Sequence, residues 1–349
     1  MICIQRIVHG ILRYGALHFT PSTDVPARVT QDLAACGISI NDIKHNKIII
    51  DFRSEGQCEV VARPLIDYLK SIPAKDILVI FSAVVDTALL DYRAVSIPNR
   101  SVIHEHWLER LLLIKYNDTV DRKFLCLMRR ASRSRATITK LLLDSGCDVR
   151  ISFGSMTSTG HGEYRDILPG VQLPLLLDNI IDRVTNDIEH DQTKPMFHSC
   201  LFNLVAESSS QTDPETWKSK FISEKTFKAF GLRQIPVWFA VPGLVTEIRK
   251  LGFDMFDDIV DHSYDSILDE RERFQTIAQQ VQALDQKFSL EQCQQLRKIL
   301  VSRLNQNFDL LTTQAEQVTA LYNNTIKDYR VNLMASKYCV PATSNSVLL

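Results

Sequence analysis

No Cys-x-x-Cys pair, no apolar run of about 18 residues and almost no net charge are found in this chain, and each absence removes a class of protein. Its eight cysteines (Cys3, Cys36, Cys58, Cys126, Cys147, Cys200, Cys293 and Cys339) lie far apart, several of them within apolar runs such as FLCLM. That spacing suits neither a zinc site nor a disulfide framework, and reads as buried free thiols in a reducing compartment. The opening stretch MICIQRIVHGILRYGALHFTP is apolar but broken by Arg6, His9 and Arg13, so it lacks the core of a signal peptide or membrane span. A soluble cytoplasmic protein is expected. The formal net charge of -1 gives no global attraction to nucleic acid or to an anionic membrane. No repeat of fixed period and no low-complexity tract is present.

The charge is nonetheless uneven: residues 1–150 hold 21 of the 40 Lys and Arg but only 16 of the 41 Asp and Glu. With 349 residues, 45% of them hydrophobic, the chain is long enough for two domains and a cleft between them. The pattern supports this. KIIIDF (47–52), DILVIF (76–81) and SVIHEH (101–106) read as strands, with CEVVARPLIDYLKSI (58–72) and WLERLLLIKY as intervening helices. After the polar NDTVDR the alternation restarts with strand KFLCLM (123–128), helix RATITKLLLDSG, and strands DVRISFG (148–154) and SCLFNLVAE (199–207). Such alternation predicts an α/β fold with mainly parallel sheets, in two Rossmann-like domains facing a cleft, with ligands beyond the carboxyl ends of the strands.

From about residue 268 the pattern is helical. Phe274, Ile277, Val281 and Leu284 make one apolar stripe, and Leu296, Leu300, Leu304 and Phe308 another. Too few heptads follow for a coiled coil, so these helices are expected to pack on the α/β domains. The predicted division is an acceptor-side domain over 1–118, a nucleotide-binding domain over 119–268, and C-terminal helices and tail over 269–349.

Two stretches carry candidate chemistry. In FISEKTFKAFGLRQIPVWFAVPG (221–243), Ser223 is an N-cap, Glu224 and Lys225 fill the first turn, Phe227 and Phe230 face inward and Gly231 ends the helix. Backbone N–H groups at a helix start attract anions, Glu224 can accept from ribose hydroxyls, and Lys225 can neutralise a phosphate. The plainer reading is a capped surface helix with a Glu224–Lys228 pair. In KFLCLMRRASRSR, Arg129, Arg130, Arg133 and Arg135 crowd one strand end. Guanidinium groups there suit a diphosphate through bidentate bonds, or a nucleic acid, or a solvated loop.

The block formed by FNLVAES (202–208), FISEKTFKAF and IPVWFAVPG resembles the donor-binding signature of α-1,3-fucosyltransferases and related GT-B glycosyltransferases. That signature is a strand ending in F-E-N-S, then Y-[IV]-T-E-K, a helix, and P-[VI]-x-x-G. The resemblance implies that Glu224 and Lys225 contact a nucleotide sugar, with Ser223 at the same helix start. Glu207 and Ser208 match the F-E-N-S strand end. Phe221 stands where the family has Tyr, and the Asn has no counterpart. KFLCLMRRASRSR is similar to the opening of uncharacterised bacterial and phage-borne relatives, with Met128 in place of Asn; LGFDMFDD and DHSYD resemble the same relatives. The likeness covers roughly residues 123–270.

It implies transfer of a sugar from a nucleoside-diphosphate sugar to an acceptor hydroxyl on a carbohydrate or other molecule, with inversion and without a cofactor. A metal is not implied either: Asp257, Asp258 and Asp261 read as a solvated face. The base that takes the hydroxyl proton is sought at strand ends of the first domain. Glu55, just past KIIIDF, is the first choice, and His104 and His106 are rivals. Two other functions fit the pattern: a phage-type DNA-base glycosyltransferase with nucleic acid on the arginine loop, and a catalytically silent assembly protein.

Overall fold

A computed structural model describes residues 3–8, 11–15, 24–35, 47–52, 59–72, 76–81, 93–97, 118–156, 164–175, 199–207, 220 and 222–334. The chain divides into two compact units. Unit 1 comprises Met1–Ser101, Lys218–Phe221 and Glu316–Leu349, and unit 2 comprises Val102–Trp217 and Ile222–Ala315.

Unit 1 holds a five-stranded sheet in the order β1 (Cys3–Val8), β2 (Ile11–Gly15), β3 (Lys47–Phe52), β4 (Asp76–Phe81), β5 (Arg93–Ser96). β1 runs antiparallel to β2, and the remaining pairings are parallel. The N-terminal apolar stretch therefore makes a hairpin, which its broken hydrophobicity did not announce. Helices α1 (Val25–Ala35) and α2 (Glu59–Ser71) accompany the sheet. α2 continues through Pro64 in its interior, which forfeits one backbone donor. Leu65, Ile66 and Leu69 of α2 are buried, as are Ile49, Leu78, Val79 and Ile80 of the strands. The SVIHEH strand expected at 101–106 lies outside the described residues; the strand found after β4 is β5.

Unit 2 is built on four parallel strands, β6 (Arg122–Arg130), β7 (Val149–Met156), β8 (Cys200–Ala206) and β9 (Ile235–Phe239), in the spatial order β7-β6-β8-β9. β8 is central and buried along its length except at half-buried Asn203, as expected of a strand covered on both faces. Asn203 donates to the Gln234 amide oxygen at 2.8 Å, and Gln234 donates in turn to the Cys200 carbonyl at 3.0 Å. β9 is an edge strand, where Pro236 costs the ladder little.

The two sheets differ in one respect that places the site. In unit 1 the described strands succeed one another in a single direction across the sheet. In unit 2, α3 (Arg133–Asp144) carries the chain from β6 outward to β7, whereas α4 (Glu224–Gly231) carries it from β8 outward to β9 on the other side. Right-handed crossovers then put α3 and α4 on opposite faces. The carboxyl ends of β6 and β8 flank the point where the order reverses, the usual ligand crevice of an open α/β sheet.

α4 ends at Gly231, as its sequence suggests, but not with glycine in the left-handed position. Gly231 is its last helical residue, and the left-handed position belongs to Arg233, with φ 55°. Arg233 N–H donates to the Phe230 carbonyl and Gln234 N–H to that of Ala229, the two bonds of a Schellman turn. Tertiary contacts offset the strain: Arg233 Nε donates to Asn305 at 2.8 Å and its guanidinium lies 3.7 Å over the Phe308 ring.

After β9 come α5 (Leu244–Lys250), a single 3-10 turn (Ser263–Ser266), α6 (Glu270–Lys287), α7 (Leu290–Ile299) and α8 (Val301–Met334). The predicted stripe Phe274, Ile277, Val281 and Leu284 is fully buried, and α6 packs on β9 and α3. The second stripe spans two helices, because the chain breaks at Leu300 between α7 and α8. Arg303 of α8 binds both Asp254 and Asp258, and Asn307 exchanges two bonds with the Asp254 backbone. Among the described residues, no helix is long and apolar enough to cross a membrane.

Candidate functional site

At the carboxyl end of β6, Arg129 and Arg130 are the last two strand residues, and the pairing with β7 slips between Met128 and Arg130. The chain then extends through Ser132, whose hydroxyl accepts from Arg135 N–H at 3.3 Å and caps α3. The arginines that follow do not form one group. Arg133 is exposed and bonds Asp166 at 2.7 Å, a contact that holds the Asp166 carboxyl below its ordinary value. Arg135 turns inward: it is 7% exposed and donates to the Ala206 carbonyl at 3.4 Å. Of the four arginines that crowd this strand end in the sequence, Arg135 thus bonds the end of β8.

At that end stands Glu207, 3% exposed, its N–H extending the ladder to the Phe239 carbonyl at 3.1 Å. Its Oε1 accepts from two groups of the next helix: the Ser223 amide at 3.2 Å and the Thr226 hydroxyl at 2.6 Å. Thr226 Oγ1 in turn accepts from Trp238 Nε1 at 3.0 Å, and the Tyr264 hydroxyl receives the Trp238 amide at 3.2 Å. One carboxyl oxygen thus joins the end of β8, the start of α4 and the middle of β9. Ser223 is the predicted N-cap, with extended backbone and a hydroxyl that accepts from Lys225 N–H at 3.2 Å.

Glu224 and Lys225 come next, both half-buried, with side chains 35% and 27% exposed. Lys225 Nζ donates to Glu224 Oε1 at 2.9 Å and reaches Ser223 Oγ at 3.4 Å. Glu224 thus pairs with its neighbour Lys225, where the sequence suggests an i, i+4 pair with Lys228. Burial alone would raise the Glu224 carboxyl, but Lys225 and Lys228 outweigh it and hold it down to about 2. A carboxylate so held is a permanent hydrogen-bond acceptor and a poor proton acceptor at neutral pH. A carboxylate offers about four acceptor positions, so the bond from Lys225 does not exhaust it.

The next helix start is occupied from within. The Asp265 carboxylate, 9% exposed, accepts from Val245 N–H at 3.0 Å, Thr246 N–H at 2.9 Å and the Thr246 hydroxyl at 2.8 Å. It neutralises the first turn of α5, after Gly243 at φ 76°. Arg273, fully buried, donates to the Ala240, Ile267 and Leu268 carbonyls and so fixes the chain just past β9. Asp257 bonds Arg249 at 2.8 Å and His262 Nδ1 at 2.9 Å. Asp258 pairs with Arg303, and Asp261 caps Ser263. These acids are spent on cations and backbone, and no metal-binding group of acids, His and Cys is found among the described residues.

Of the residues singled out in the sequence, Ser223, Glu224, Lys225 and Glu207 converge, and Arg129, Arg130 and Arg133 occupy the neighbouring strand end and helix start. Glu55, His104, His106, Ser208 and Phe221 lie outside the described residues. Sequence reasoning passed over Thr226, Trp238, Asp265 and Arg273. A signal for Thr226 was present: three residues after a Ser cap a Glu or Gln is usual, and Thr there asks for a carboxylate from elsewhere. No known protein family and no curated protein matches this chain.

Proposed function

We propose that the protein is a glycosyltransferase that moves a sugar from a nucleoside-diphosphate sugar to an acceptor hydroxyl, with two Rossmann-like domains in a GT-B-like arrangement. The observation that carries this reading is the start of α4. At the strand-order reversal of a parallel sheet, a capped helix presents an ionised Glu224 beside Lys225. Glu224 suits the hydroxyls of a ribose, and Lys225 with the helix N-terminus suits the diphosphate. Arg129 and Arg130, at the adjacent strand end, supply further positive charge for the leaving group. In the reaction the acceptor oxygen attacks the anomeric carbon as the bond to the β-phosphate oxygen breaks. That electron pair leaves with the nucleoside diphosphate, and the hydroxyl proton passes to a base, for which Glu55 is our choice from sequence.

The arginines bear on the DNA-modifying alternative. With Arg135 buried and Arg133 paired to Asp166, this strand end offers a polynucleotide less than its sequence suggests. The deciding experiment screens GDP-, UDP-, dTDP- and CMP-sugars by thermal shift and hydrolysis. A ligand at 100 times its Kd stabilises the folded chain by about 2.7 kcal/mol, a readily seen rise in Tm. Glu224→Ala and Lys225→Ala are each expected to weaken binding tenfold or more. Absence of any shift, or a shift unchanged in both variants, removes this reading in favour of a silent scaffold.

A further inference from the structure

We infer that Glu207 is a positioning residue that sets the start of α4 for nucleotide binding, acting through Ser223 and Thr226 and not by touching the ligand. The inference rests on the reading of α4 as the donor site. α7 begins with a self-contained capping box: Gln292 N–H donates to the Ser289 hydroxyl at 3.1 Å, and Ser289 N–H donates to Gln292 Oε1 at 2.7 Å. α4 has a related architecture: the Ser223 hydroxyl accepts from the second helical N–H, that of Lys225, and the returning acceptor comes from elsewhere. Ser223 is its cap, but the third helical position is Thr226, whose side chain carries no acceptor long enough to reach back. The oxygen that receives the cap N–H belongs to Glu207, which lies 16 residues earlier at the end of β8.

The displacement changes what the cap does. A local box stabilises a helix wherever the helix lies, whereas a box closed by a strand residue ties the helix start to the sheet. Thr226 strengthens the tie, because its hydroxyl donates to the same Oε1 and accepts from the Trp238 indole, so the first turn is held from β8 and β9 together. Rotation of α4 about its axis would break these bonds at once. The two residues between the tied positions are Glu224 and Lys225, so their direction is fixed by residues that sit beneath them. Glu207 is 3% exposed with Oε1 occupied from α4, which is the environment of a support and not of a ligand-facing group.

The test measures two things on the full-length chain: hydrogen exchange of the amides at 222–230, and binding of GDP and UDP by calorimetry. Glu207→Leu is expected to speed exchange at the start of α4 at least tenfold, leave the β6 amides unchanged and weaken the binding nucleotide at least tenfold. Thr226→Val, which removes the hydroxyl at nearly constant volume, is expected to shift both readouts in the same direction by a smaller factor. Glu207→Gln and Thr226→Ser retain the acceptor and the hydroxyl respectively, and should restore both readouts to within about threefold of wild type. If Glu207→Leu disrupts the whole unit, the Thr226 pair decides.

Wild-type exchange and affinity in Thr226→Val overturn the inference, as does loss of nucleotide binding in Glu207→Gln with α4 still protected, because that pattern marks a direct ligand. If the wild type binds neither GDP nor UDP and no dTDP- or CMP-sugar shifts its Tm, the donor-site reading falls and the positioning role falls with it, while the exchange data still show whether Glu207 ties α4 to the sheet.

Discussion

Ser223 and His262 each make a prediction that depends on a few atoms. Ser223→Ala removes the hydroxyl that caps α4 and is expected to cost about 1 kcal/mol of unfolding free energy, read from the urea midpoint. His262 is almost wholly buried, with Asp257 on Nδ1 and, among the described residues, no hydrogen-bond partner on Nε2. Burial pushes its pKa below the ordinary 6.5, against the opposing pull of Asp257. The unfolded chain then binds a proton at a higher pH than the folded chain does. Stability from neutral His262 is complete above 6.5 and is lost as pH falls from there through the folded value. Urea titrations at a series of pH values should show this slope in the wild type and its absence in His262→Gln.

At the scale of elements, the turn that ends α4 is the sharpest case. Arg233 holds φ 55° because its side chain is engaged by Phe308 and Asn305. Arg233→Gly loses those contacts but relieves the backbone, whereas Arg233→Ala loses the contacts and keeps the strain. The expected order of stability is therefore wild type, Gly, Ala, with the last two separated by about 1 kcal/mol. The same turn shows where sequence reading stops. β3, β4, β6 and β8 were legible as short apolar runs, β7 by the alternation of Val149, Ile151 and Phe153 with polar or small residues, and the cap at Ser223 because it is local. Gly231 marks the end of α4 in sequence and structure alike, but the left-handed turn belongs to Arg233, which works through residues some 70 positions away, and no local pattern carries that. Glu207 was legible as a strand-end acid but not as a partner of Thr226, for the same reason. β1 and β2 were missed since polar residues interrupt them, and the break at Leu300 because its stripe continues unbroken across α7 and α8.

For the molecule as a whole, acid should act in two stages. The His262 slope comes first. Below it, the carboxyls of Asp166, Glu224, Asp257 and Asp258 are all held beneath their ordinary values of 3.8 to 4.5. Their contribution is present above those ordinary values and is lost as pH falls through the depressed ones, so the stability curve should steepen below about pH 4.5. Since three of these acids are exposed, added salt should flatten that limb. The division into two units has an optical counterpart. Trp107, Trp217 and Trp238 all fall in unit 2, and unit 1 contains no tryptophan. Indole emission therefore follows the melting of one unit while the other stays dark, and far-ultraviolet dichroism follows both. Superimposable curves from the two signals would mean that the units unfold together, and separated curves would give each its own midpoint, from the unmodified protein and without a label.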